Sequence, residues 1–315
     1  MSCHIGIDLG GTFVKFGAVD EDGNILKKDK IPTPLGCDYG ATVSAIAEAV
    51  KGMIADMGAA ESVGIGCPGV IDGEHGIVVT GGNLGWENMP LAQDLGGLLG
   101  IPVTLCNDAN AAAYGEYICG AGKEYRSIVL ITLGTGVGSG TIFGGKLFTG
   151  ELGAGAELGH EVIRMDGEPC SCGRRGCFEA YASASALVRQ TRNAMIAHPE
   201  SKMWELCKGS ADNADGRTAF DGMRLDDETA KEVVERYLGY LAEGIANIVN
   251  VFRPQAVLIG GGISAEGETI TRPLQEKVDS EILGHGRYAP VTIKAASLGN
   301  DAGLAGAAML AKERK

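Results

Sequence analysis

Short apolar runs open the chain. Residues 4–9, HIGIDL, and 13–19, FVKFGAV, flank the pair Gly10–Gly11, which predicts two β-strands joined by a tight glycine turn. EDGN at 21–24 supplies a further hairpin turn. The same order returns at 127–143, where SIVLITL is followed by GTGVGSG and then TIF. Aligned, Ile7-Asp8-Leu9-Gly10 falls on Ile131-Thr132-Leu133-Gly134. Such a repeat points to two domains, each opening with a strand, a glycine turn and a strand.

Helical spacing fills the stretches between. Residues 41–57, ATVSAIAEAVKGMIADM, carry apolar positions three and four apart. A second helix is expected over 227–252, where Val234, Leu238, Leu241, Ile245, Ile248 and Phe252 share one face. Asp226 or Asp227 can cap its start, and Pro254 stops it. The strand QAVLIGGG follows and ends in a third glycine cluster. PVTLCNDANAAAYGEY (102–117) reads as a strand running into a helix that begins near Asn107–Asp108. The polar stretch 198–224 reads as loop or short helices. Strands alternating with helices make the class α/β.

Composition narrows the choice. Of 315 residues 50 are glycine, without the every-third spacing of collagen, so the excess points to tight turns and close backbone approach to a ligand. A net charge of −13 and the absence of any basic run oppose binding to nucleic acid or anionic lipid. No stretch approaches the ~18 apolar residues of a spanning helix. The start, MSCHIGIDLGG, lacks the cationic region of a signal peptide. A cytoplasmic protein is expected, with no nucleic-acid or membrane partner. In a reducing cytosol Cys3, Cys37, Cys67, Cys106, Cys119 and Cys207 read as small buried hydrophobes.

The glycine clusters carry the first chemistry. DLGGT (8–12), LGTGVGSG (133–140) and IGGGIS (259–264) each follow a predicted strand, where backbone N–H groups can point at phosphate oxygens. None has the Gly-Lys-Ser/Thr of a P-loop, and none is a full dinucleotide fingerprint. Asp8 at a strand end can hold hydrated Mg²⁺, and Thr12 and Thr135 offer hydroxyls to phosphate. Together the three clusters resemble the two phosphate motifs and the adenosine motif of the actin, heat-shock chaperone and hexokinase superfamily. That resemblance implies a two-lobed, ribonuclease H-like fold with nucleotide and sugar in the cleft. It implies an ATP site built from Asp8, Gly10, Gly11, Thr12 and Lys15, from Thr132, Gly134, Thr135, Gly136 and Gly138, and from Gly260, Gly261 and Gly262.

Two further segments bear reactive groups. Asp108 stands near a helix N-terminus, where the macrodipole favours its ionised form. An ionised carboxylate there can accept a proton from an attacking hydroxyl, or it can serve only as the N-cap. In ELGHEVIRMDGEPCSCGRRGCFEA (157–180), Cys170, Cys172, Cys177 and His160 make a Cys₃His set that suits structural Zn²⁺. Glu157, His160 and Glu179 flank that set and could meet the hydroxyls of a sugar. ATP, on glycine turns elsewhere, is expected to feel loss of a thiolate later than the sugar does.

These segments together resemble the ROK family of sugar kinases and related repressors. The resemblance rests on DLGGTFVKFGAV, CPGVID, NLGW, NDANAAAYGE, LGTGVGSG, ELGH, CSCGRRGCFE, NIVNVFRP, IGGGIS and DAGLAGAA. It implies that Asn83, Asn107, Asp108, Glu157, His160 and Glu179 grip a hexose and that Asp108 is the general base. The implied reaction passes the γ-phosphate of ATP to glucose, with fructose, N-acetylglucosamine or N-acetylmannosamine as alternative acceptors. The resemblance also implies a homodimer or homotetramer, an N-terminal lobe over 1–117, a larger lobe over 118–298, and a C-terminal helix at 299–315 packed back on the first. Repressors of the family carry a DNA-binding domain ahead of the first phosphate motif, which here begins at residue 5, so a sugar-responsive regulator is the weaker reading.

Overall fold

The computed structural model describes residues 2–314, apart from the side chain of Asn83. Its elements run β1 (His4–Leu9), β2 (Phe13–Val19), β3 (Ile25–Pro32), α1 (Tyr39–Met57), β4 (Ser62–Cys67), β5 (Val70–Asp72), β6 (Ile77–Thr80) and β7 (Glu87–Met89). Next come α2 (Leu91–Leu99), β8 (Val103–Asn107), α3 (Asp108–Ile118), β9 (Ile128–Leu133), β10 (Val137–Phe143) and β11 (Lys146–Phe148). After the cysteine segment follow α4 (Glu179–Ala182), α5 (Ala184–Ala197), α6 (Met203–Leu206), α7 (Thr218–Arg224) and α8 (Glu228–Phe252). The chain closes with β12 (Ala256–Gly261), α9 (Glu268–Glu281), β13 (Thr292–Ala295) and α10 (Ala302–Glu313).

Two five-stranded sheets share one layout. The first has the order β3-β2-β1-β4-β8 and the second β11-β10-β9-β12-β13, while β5-β6-β7 form a small third sheet. In the first, β2 lies antiparallel to β1 with Asp8 opposite Lys15, and β4 lies parallel to β1. The chain divides into two compact units. One comprises Met1–Leu130, Gly140–Ala156 and Ala296–Lys315, the other Ile131–Ser139 and Glu157–Ala295. The expected boundary at 117/118 falls inside the first unit.

The first unit is organised around β1, β4 and β8. Ile5, Ile7, Ile65 and Leu105 are fully buried, each contributing about 1.5–3 kcal/mol of transfer free energy. Helix α10 packs on β1, β4 and α3. It comes so close that a Cβ on Gly6 would lie 1.9 Å from the Leu304 carbonyl oxygen, and one on Gly64 1.8 Å from that of Ala307. Glycine on both strands is therefore what admits the helix. Glu116, buried at the end of α3, accepts N–H bonds from Ser297 (2.9 Å) and Leu298 (2.6 Å) and fixes the approach to α10.

Helix ends follow their capping chemistry. Helix α1 starts two residues before 41 because the Asp38 carboxylate accepts the Ala41 N–H at 2.8 Å. Of the two candidate caps for α8, Asp227 serves, accepting the Ala230 N–H at 2.7 Å. Asp226 is turned to φ 61°. Arg253, at φ 46°, ends α8 one residue before Pro254. The polar stretch 198–224 forms the short helices α6 and α7, anchored by fully buried Phe220.

Candidate active site

The first glycine turn is held by its own hairpin. Gly10 N–H donates to the Phe13 carbonyl (3.0 Å), and Thr33 N–H donates to that of Thr12 (2.9 Å). The Thr33 hydroxyl donates to the Gly10 carbonyl at 2.6 Å. Gly11 and Thr12 stand exposed at the tip. Lys15 Nζ donates to Asp8 Oδ2 at 2.9 Å. Both groups are partly exposed, so the pair orients the carboxylate more than it stabilises the fold.

At the junction of β8 and α3 the N-cap is Asn107, not Asp108. Asn107 Oδ1 accepts the N–H groups of Ala109 (2.9 Å) and Asn110 (3.1 Å), and its Nδ2 donates to the Gly69 carbonyl (3.1 Å). Asp108 is thereby left at the first helical position, where its Oδ1 accepts the Ala109 N–H (2.9 Å). Water reaches Asp108, yet protein crowds it on several sides, and that crowding raises the carboxyl pKa. The Ala109 N–H opposes the rise and the charge of Asp8 adds to it. A carboxylate shifted this way is a better proton acceptor near neutral pH. Asn83 lies in the turn Gly82–Leu84, its side chain outside what is described.

The second glycine turn covers only Gly134–Gly136. Gly134 N–H donates to the Gly136 carbonyl (3.0 Å). Gly138 lies in β10 rather than in the turn, in a strand whose residues 139–142 are all buried. Thr132 lies in β9, and Gly260 and Gly261 lie in β12, with Gly262 opening the turn after it. Glu179 heads α4 and spans two features. Its Oε2 accepts the Val137 N–H at 3.1 Å, and its Oε1 accepts the Ser171 hydroxyl at 2.8 Å. Ala184 N–H also donates to the Gly134 carbonyl (2.9 Å). The second turn is thus bonded to the cysteine segment, not set apart from it.

Beside that turn is a cavity of about 560 Å³, walled by Gly134, Thr135 and Gly262. One face of α5 lines it through Ala184, Ser185, Val188, Arg189, Arg192 and Asn193. Arg192 Nη2 donates to the Asp212 carbonyl (2.9 Å), and its buried Nε has no protein acceptor.

The cysteine segment folds back on itself. Val162 bridges Cys177, Pro169 bridges Arg175, and the ligand atoms of His160, Cys170, Cys172 and Cys177 all lie within 4.8 Å of one another. Cys172 and Cys177 Sγ are 3.7 Å apart, and Cys170 Sγ is 3.6 Å from His160 Nδ1. Tetrahedral Zn²⁺ bonds of ~2.3 Å to sulfur and ~2.0–2.1 Å to nitrogen imply edges of about 3.8 and 3.6 Å. The donor set and these two distances therefore fit that ion. Upstream, Glu157 begins the turn Leu158–His160, with His160 N–H donating to its carbonyl (3.0 Å) and Leu158 N–H to Ser139 Oγ (3.1 Å).

Sequence reasoning missed Thr33, Ser139, Ser171 and the α5 face. Ser139 and Ser171 sit inside motifs that were read, but nothing in a serine announces its partner. Two arginines three residues apart on a helix following the third cysteine were the available signal for α5.

The pattern of the ROK family matches residues 4–314. A glucokinase of Thermotoga maritima is 43% identical over 313 residues, which cover 98% of this chain and 97% of the relative. A glucokinase of Streptomyces coelicolor is 40% identical over 317 residues, 99% and 98% of the two chains. A crystal structure of a ROK glucokinase from Streptomyces griseus, in complex with glucose and AMPPNP, superposes with a TM-score of 0.85 at 38% identity, covering 99% of each chain. The repeated-sheet α/β fold is accordingly the two-lobed fold of the actin and hexokinase superfamily. The paired glycine turns, the carboxylate at the head of α3 and the Cys₃His segment sit in a chain that belongs to the ROK family.

Proposed function

We propose that the chain transfers the γ-phosphoryl group of ATP to the 6-hydroxyl of glucose, with Asp108 as general base. The observation that carries this reading is Asp108 itself, relieved of capping by Asn107, open to water and raised in pKa. Its carboxylate takes the proton of the attacking hydroxyl as the new O–P bond forms and the bond from the γ-phosphorus to the leaving β-phosphate oxygen breaks, releasing ADP. Asn83, Asn107, Glu157, His160 and Glu179 orient the sugar through its other hydroxyls. The backbone and hydroxyls of Gly10–Thr12 and Gly134–Gly136 take the phosphates, and the cavity along α5 takes the remainder of the nucleotide.

Asp8 offers the single carboxylate that Mg²⁺ needs from protein beside substrate phosphates, and the ion neutralises phosphate charge when bound. His160, Cys170, Cys172 and Cys177 would hold Zn²⁺ with all four positions filled, so that ion supports the loop. An acidic chain whose described helices are all too short or too polar to cross a membrane suits the cytoplasm, and its charge gives nucleic acid no footing. A homodimer or homotetramer, implied by the family resemblance, is counted by sedimentation equilibrium. The decisive experiment is a panel of hexoses with ATP and product analysis. Glucose 6-phosphate should form with the highest kcat/KM, and preference for an N-acetylated hexose would overturn the substrate assignment.

A further inference from the structure

The carboxylate of Glu179 has two oxygens committed to two different segments. Oε2 accepts the N–H of Val137, the residue immediately after the glycine turn. Oε1 accepts the hydroxyl of Ser171, which stands between the metal-ligand candidates Cys170 and Cys172, and lies 3.5 Å from Cys170 Sγ. Gly136 shows how tightly the first contact is built. A Cβ there would fall 2.3 Å from Glu179 Oε2, so this position of the turn must be bare for the carboxylate to reach Val137. The main chain repeats the tie nearby, through Ala184 N–H on the Gly134 carbonyl (2.9 Å).

The geometry points to a positioning role for Ser171 and Glu179 in nucleotide binding: the bridge Ser171–Glu179–Val137 sets the conformation of the Gly134–Gly136 turn from the cysteine segment. This rests on the reading of that turn as a phosphate site. Ser171 is not one of the candidate metal ligands; it holds one oxygen so that the other stays on Val137. Glu179 keeps lone pairs for a sugar hydroxyl, because each carboxylate oxygen accepts more than one bond. The state of the cysteine segment is thereby felt by ATP as directly as by the sugar.

The test uses Ser171→Ala and Ser171→Thr in the full chain, with zinc content by metal analysis and separate titrations of AMPPNP and glucose. Ser171→Ala should keep one zinc per chain and bind AMPPNP about three- to tenfold more weakly, the effect of losing one ordinary, solvent-exposed hydrogen bond. Its glucose affinity should move less, and Ser171→Thr should restore AMPPNP binding. Unchanged AMPPNP affinity, an equal or larger loss for glucose, or loss of zinc would each overturn the bridge. Thr135→Ala separates this from failure of the underlying reading. If Thr135→Ala leaves AMPPNP binding intact, the turn is not the phosphate site; if it weakens binding while Ser171→Ala does not, only the bridge fails.

Discussion

The two glycine turns follow equivalent strands of two sheets with one strand order, yet they are held in different ways. The turn at Gly10–Thr12 is fixed locally, by Phe13 of its own hairpin and by Thr33 at the end of β3. The turn at Gly134–Gly136 is fixed remotely, by Glu179 and Ala184, residues reached only after the chain has passed through the cysteine segment. A repeat in sequence and topology therefore does not carry a repeat in support. The local turn needs only its hairpin to form, whereas the remote turn depends on a segment that carries the candidate metal ligands His160, Cys170, Cys172 and Cys177.

Several experiments would break or sharpen that contrast. The largest effect belongs to the first unit and should leave both turns untouched. Asp108→Asn keeps shape but removes the proton acceptor, so kcat should fall about 10²–10⁴-fold while AMPPNP and glucose affinities change little. Cys172→Ala comes next. Loss of a ligand should loosen the 157–180 segment, raising KM for glucose and for ATP together by about tenfold or more. A rise in KM for glucose alone would mean that the second turn stands free of the segment. Thr33→Val removes one hydrogen bond from the local turn, and KM for ATP should rise about two- to fivefold with zinc content unchanged. If Thr33→Val were as damaging as Cys172→Ala, the contrast between local and remote support would be lost.

The sequence made the strands, the second long helix and the Cys₃His set legible, because period, caps and ligand spacing are local properties. A cap at Asp226 or Asp227 and the Pro254 stop around α8 were visible in this way, and the hydrogen bonds chose Asp227. What stayed hidden is pairwise and distant. No pattern near Gly136 announces a carboxylate arriving from position 179, and none near Glu116 announces Ser297 and Leu298. Gly138 misled for a related reason: glycine reads as a turn, but here it belongs to the buried strand β10. Asp108 read equally as proton acceptor or N-cap, and only the hydrogen bonds, which give the cap to Asn107, separate capping from chemistry.

The central claim is that Asp108 accepts the proton, and the pH dependence of kcat tests it most directly. A general base acts only in its ionised form, and crowding raises the folded-state pKa of Asp108, so activity should be lost as pH falls through a value above the usual aspartate range. The wild-type profile should show that acid limb, and the residual activity of Asp108→Asn should lack it. An identical acid limb in the Asn variant, or turnover near that of wild type at neutral pH, would contradict the assignment.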